Sequence, residues 1–218
     1  MDQPDQPDRP DRPGAAAWVP PRAGVDDLRA AAPACRGCEL WQPATQVVFS
    51  SGPPDASVLM VGEQPGDAED TGGEPFVGPA GRLLRRAISE AGLAQEDVYL
   101  TNAVKHFRFT ERGKRRIHQK PDLAHLVACR PWLEAELLDV PAEVVVLLGA
   151  TAARAVRGPG VKVTQERGSI VPRQTPVGER PVLVTVHPSA VLRTRGDEHQ
   201  VAYAALVGDL RTVAAAVA

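Results

Sequence analysis

Four short apolar runs punctuate the chain, at 58–62, 98–102, 144–149 and 182–186, each continuous rather than alternating. Continuous runs of this length predict strands buried on both faces. Between them apolar residues recur at helical spacing. One set follows Pro79-Ala80-Gly81 with Leu83, Leu84, Ala87 and Ile88, and a second carries Leu123, Leu126, Val127 and Leu133. The last has Tyr203, Leu206, Leu210, Val213 and Val217 on one stripe. Strands alternating with helices predict a single α/β domain: a central, mostly parallel, four-stranded sheet flanked by helices on both faces. Sheets of that kind hold ligands beyond the carboxyl ends of their strands. Here those ends run into GEQPG from Gly62, TNAVKH from Thr101, LGATAAR from Leu148 and HPS from His187.

Composition refines this picture in three places. Residues 2–13 read DQPDQPDRPDRP, a repeat with no apolar face to offset the entropy of ordering. A disordered Asp/Pro-rich tail is therefore expected over 1–20, with the domain over 21–218. The formal charge of -2 gives no global basic signature, so any contact with nucleic acid must be local. A local excess exists: Lys105 to Lys120 holds seven Lys or Arg against the single carboxylate of Glu111. Lys114, Arg115 and Arg116 are expected to meet phosphates, Arg193 to extend that surface, and Phe107, Phe109 and Ile117 to pack the segment onto the body.

Three cysteines cannot pair off completely and no charged-then-apolar leader follows Met1, which points to the reducing cytoplasm. No apolar run is long enough for a membrane span, and nothing suggests an obligate interface, so a monomer is expected. Cys35 and Cys38 form a CxxC pair, and Cys129 lies far downstream in ACRPW, where Pro131 should interrupt a helix. Without a second CxxC, a metal would need a fourth ligand of another type, and His106 is the candidate. These residue types suit zinc or an iron-sulfur cluster equally. The plainer reading is a buried thiol and an incidental surface pair.

The order GEQPG, GGEPFVGPAGRLL, TNAVK, ACRPWL and VHPS resembles family 4 uracil-DNA glycosylases over roughly residues 30–215. Three features depart from the ordinary pattern of that family: Gln64 in place of alanine, His106 in place of cysteine, and the inserted RGKRRIHQK of residues 112–120. Together they resemble the UdgX group, whose members are understood to excise uracil and stay covalently attached to the abasic sugar through the histidine of that insertion, here His118. The resemblance also implies a 4Fe-4S cluster held by Cys35, Cys38, Cys129 and His106, and uracil-containing DNA as the partner, single strands being easier to engage.

Roles follow from what the chemistry needs. A base inside DNA must be turned out and held by face and edge. Phe76 is expected to stack on it, Asn102 to pair with its N–H and C=O, and Gly62 and Arg193 to shape the surroundings. Bond breaking puts negative charge on the base and positive charge on the sugar, so His187 is the expected donor and His118 the nucleophile. Glu63 would orient His118 or accept its proton, while Gln64 and Asp67 organise the loop. Phe76 as core, Asn102 as a turn cap and His187 as a structural residue are the plain alternatives. At the level of the whole protein the alternatives are ordinary hydrolytic turnover, a non-catalytic uracil-DNA binding module, or a small electron carrier.

Overall fold

A computed structural model describes residues 12–218. In chain order the helices are α1 (Val25–Ala31), α2 (Asp67–Gly72), α3 (Pro79–Glu90), α4 (Leu123–Asp139), α5 (Gly149–Arg157), α6 (Val163–Glu166), α7 (Pro188–Arg193) and α8 (Gly196–Ala214). The strands are β1 (Ser50–Ser51), β2 (Val58–Gly62), β3 (Val98–Asn102), β4 (Phe109–Arg112), β5 (Arg115–His118), β6 (Val144–Leu148), β7 (Ile170–Thr175) and β8 (Gly178–Thr185).

The sheet has six strands in the order β1-β3-β2-β6-β8-β7, not the four expected. The four apolar runs form its parallel centre, and the two additions, β1 and β7, lie antiparallel on the edges. Edge strands keep one side toward water, so β7, with Pro172, Arg173 and Gln174, lacks a continuous apolar run. Side chains of the central strands alternate between two cores. Leu59, Val61, Tyr99, Val145 and Leu147 pack with α1, α4 and α5, while Val58, Met60, Leu100, Val146 and Leu183 pack with α3 and α8. The sheet is thus covered on both faces, as expected of a parallel sheet.

Two further expectations give way. Helix α4 runs through Pro131 without interruption. A proline there removes one helical hydrogen bond, but its neighbours Trp132 and Leu133 are each 1% exposed, and their burial outweighs the loss. On the same helix Leu126 and Leu133 are buried, yet Leu123 and Val127 face solvent. The tail boundary also moves. Residues 1–11 lie outside the described residues, but 12–20 pack on the body. Arg12 forks onto Glu39 and reaches Asp122, Ala15 is buried, and Gly14 N–H donates to the carbonyl of Gly37. Among the described residues no helix is long and apolar enough to cross a membrane.

Candidate active site

The parallel register sets Gly62 opposite Asn102 and Leu148 opposite Thr185, so four strand ends meet at one edge of the sheet. A cavity of about 1020 Å³ opens there. Glu63, Gln64, Asp67, Phe76, Asn102, His118, His187 and Arg193 all line it. Gly62 does not line it but makes room beneath: a Cβ at this position would lie 2.3 Å from Asn102 Oδ1 and 2.6 Å from the Phe76 ring.

Phe76 sits in the left-handed region at φ 59, where a side chain is strained. Gly81 permits this, because a Cβ there would fall 1.8 Å from the Phe76 carbonyl oxygen. The ring is 5% exposed and lies 6.4 Å, centroid to centroid, from His187. Asn102 is 2% exposed, and its amide takes no hydrogen bond from the described residues while facing the cavity. It is therefore no turn cap: its donor and acceptor are both free for a ligand.

His187 caps α7, its Nδ1 accepting from Ser189 N–H at 3.2 Å. That bond places the proton of the neutral ring on Nε2, leaving a donor. Burial, with the charges of His118 and Arg193 adding to it, pushes the His187 pKa down to about 4. The unfolded chain thus binds a proton that the folded ring refuses. Stability should be unaffected by this residue above pH ~6.5 and fall, by at most about 3 kcal/mol, as pH drops toward ~4. Thermal melts across that range should be flatter in His187→Gln, and an unchanged slope would contradict the assignment.

His118 is the last residue of β5, in the two-stranded hairpin β4–β5 that stands over the cavity. Its Nε2 lies 3.4 Å from Glu63 Oε1, and the side chain is 49% exposed. Two clamps seat this hairpin. Gln64, 7% exposed, donates from its amide to the carbonyls of Arg108 and Gln119, each at 3.1 Å, and accepts from Arg108 N–H. Arg116 pairs with Asp67 at 2.6 Å and with fully buried Asp70 at 2.5 Å, and stacks over Phe107 and Phe109. Arg116 is therefore an internal staple and not a free phosphate contact. Lys105 and Arg108 are also engaged internally, with Glu136 and with the Lys120 carbonyl. Arg112, Lys114, Arg115 and Lys120 are the basic residues of this segment left in solvent. Phe107 is buried, whereas Ile117 is 41% exposed.

Sequence reasoning missed two residues here. Thr151, in the first turn of α5, donates its hydroxyl to Glu63 Oε2 and fixes that carboxylate from the side away from His118. Leu192, 42% exposed, stands on the cavity rim beside Arg193. Neither had a local signal, since one lies in a run of small residues and the other continues an ordinary apolar stripe.

Cys35, Cys38 and Cys129 are all buried, and His106 is 6% exposed. Each thiol of the three is close enough for Cys129 to sense the charges of both others. Burial pushes Cys38 up to about 11 and Cys129 up to about 12, so any metal must displace protons. Burial holds His106 down to about 4, a neutral ring suited to ligation. Trp132 Nε1 donates to Cys35 Sγ and Lys105 N–H to Cys129 Sγ, each at 3.3 Å. Among the described residues, no three His, Cys, Asp or Glu converge closely enough to hold a single metal ion.

A cavity at parallel strand ends, with a ring for stacking, an unspent amide, the neutral imidazole of His187 and a second imidazole beside a carboxylate, suits a planar polar heterocycle attached to a larger chain. The chain belongs to the uracil DNA glycosylase superfamily, whose family model matches residues 49–211. It is 37% identical to the type-4 uracil-DNA glycosylase of Thermotoga maritima over 75% of this chain and 81% of that one. The type-4 uracil-DNA glycosylases of Sulfurisphaera tokodaii and Archaeoglobus fulgidus are 34% and 31% identical, over 72% and 77% of this chain and 71% and 83% of theirs.

Proposed function

We propose that this protein excises uracil from DNA and ends covalently attached to the abasic sugar through His118. The observation that carries the second half is the pairing of His118 Nε2 with Glu63 at 3.4 Å on a hairpin clamped over the cavity.

Uracil stacks on Phe76, and Asn102 accepts from its N3–H while donating to its O4. Cytosine offers the reverse pattern on that edge. The bond between N1 and C1′ breaks with its electron pair leaving on the base, whose O2 receives the Nε2–H bond of His187. Glu63, held by Thr151, stabilises the cationic sugar. As the sugar cation forms, Glu63 takes the Nε2 proton of the His118 imidazolium, the lone pair so freed forms a bond to C1′, and the resulting ring cation loses its Nδ1 proton to solvent. A positioned imidazole competes with water through its high effective concentration. Single strands are the easier substrate, because turning out an unpaired base breaks no base pair.

Mixing the protein with a uracil-containing oligonucleotide should give a protein band shifted on a denaturing gel. His118→Ala should abolish the shift. Uracil release with no shifted band in the wild type would leave ordinary hydrolytic turnover, and tight reversible binding without release would leave a binding module.

A 4Fe-4S cluster held by Cys35, Cys38, Cys129 and His106 fits the donor set. In such a cluster each protein ligand takes a different iron, so the ligands ring it and need not converge on one ion as zinc requires. When bound, it braces the loop of the CxxC pair against α4 and the segment after β3. Purified protein should carry iron and acid-labile sulfide, and stoichiometric zinc in their place would overturn this part.

A further inference from the structure

A second concavity, of about 260 Å³, lies between α3 and α8 and is walled by Arg82, Leu83, Arg86, His199, Gln200 and Tyr203. Tyr203 is 8% exposed, and its buried hydroxyl faces the Glu90 carboxylate without making a well-formed hydrogen bond among the described residues. A buried hydroxyl so poorly paired is stabilised by a ligand that accepts from it in better geometry. The surrounding polar groups are mostly donors. Arg86 lies over the Tyr203 ring at 4.8 Å, using only its Nε on Glu90 Oε1 at 2.7 Å. Arg82 gives one terminal nitrogen to the Val77 carbonyl, while His199 donates from Nδ1 to the Val191 carbonyl at 3.0 Å, which makes its Nε2 in the neutral ring an acceptor and not one of the donors. Glu90 is the opposing charge nearby; it does not wall the concavity, and with burial it raises the phenol pKa, which keeps the hydroxyl a donor.

The concavity adjoins the rim of the main cavity. Pro79 and Ala80, which line the main cavity, precede Arg82 by less than one turn of α3. His199 is tied to Val191, the residue before Leu192 and Arg193 on the same rim. We propose that this concavity is a phosphate subsite for the DNA strand, taking the backbone phosphate of a nucleotide that flanks the extruded one. The assignment rests on the uracil-DNA reading above, which names the strand; the donors themselves suit any phosphate.

The test uses an oligonucleotide carrying 2′-fluorouridine, whose electron-withdrawing substituent blocks bond cleavage and leaves binding reversible. Affinity is measured over a range of salt for the wild type, for Arg82→Gln combined with Arg86→Gln, for Tyr203→Phe, and for Arg173→Gln on the distant edge strand β7. Losing one phosphate contact on a single strand should flatten the slope of log Kd against log salt by about 0.7 in the double variant and weaken binding about threefold to tenfold. Tyr203→Phe should weaken DNA binding with an equal or higher melting temperature, whereas a merely structural hydroxyl would lower the melting temperature and leave affinity unmoved. Arg173→Gln should match the wild type. A double variant with wild-type slope and affinity overturns the subsite. So does loss of inorganic phosphate binding in the variants with the DNA slope intact, which would assign the concavity to the free ion. Uracil release by the wild type from an unmodified strand is scored separately, so failure of that activity and failure of the subsite are distinguishable.

Discussion

Asn102→Ala should slow uracil release by about 10²- to 10⁴-fold in single-turnover assays, with a melting temperature close to that of the wild type. The two halves of this expectation have one cause. The Asn102 amide makes no bond to the described residues, so its removal leaves nothing in the fold unpaired, yet under the proposed function it is the group that reads the Watson–Crick edge of the base. A site built to pair with a polar edge discriminates strongly because loss of one partner strands the other. Salt-dependent attraction to DNA should persist, since no phosphate contact changes. A loss smaller than tenfold would remove Asn102 from base recognition.

The largest effect on stability is expected at Glu136. This carboxylate is 0% exposed and receives the Lys105 ammonium, the Tyr99 hydroxyl at 2.9 Å and the Thr101 hydroxyl at 2.7 Å. Lys105, 1% exposed, also bonds Thr101 Oγ1 and lies over the Phe49 ring. Glu136→Ala leaves a buried cation alone, and should cost about 3–5 kcal/mol in denaturant unfolding. Lys105→Met combined with Glu136→Leu should recover most of that, because apolar residues of similar volume replace a buried pair at little net cost. A loss below about 1 kcal/mol in Glu136→Ala would show that water reaches the pair.

The sequence made the centre of the fold legible because both faces of the parallel strands are buried. Continuous apolar runs marked 58–62 and 98–102 to the residue. Features that depend on partners far along the chain left no such trace. Arg116 looks like one more basic residue in a charged insertion, and only its neighbours 46 and 49 positions away turn it inward. β7 alternates weakly and carries a proline, and Ala15 is buried by contacts that an Ala-Ala-Ala stretch after an acidic repeat does not announce. At the site, Glu63, Gln64, Asn102 and His187 came from motifs at strand ends, and Phe76 and His118 from segments that the family resemblance singled out. Their supports, Thr151 on Glu63 and Gly81 beneath Phe76, became visible only with the chain folded.

The seating of the β4–β5 hairpin bears on how portable its chemistry is. Its histidine is held at the cavity by an amide from one loop and two carboxylates from the next turn of chain, none of which belongs to the hairpin itself. Transplanting residues 112–120 into a relative would therefore carry the His118 ring without its mounting. Gln64, Asp67 and Asp70 would have to travel with it as a set.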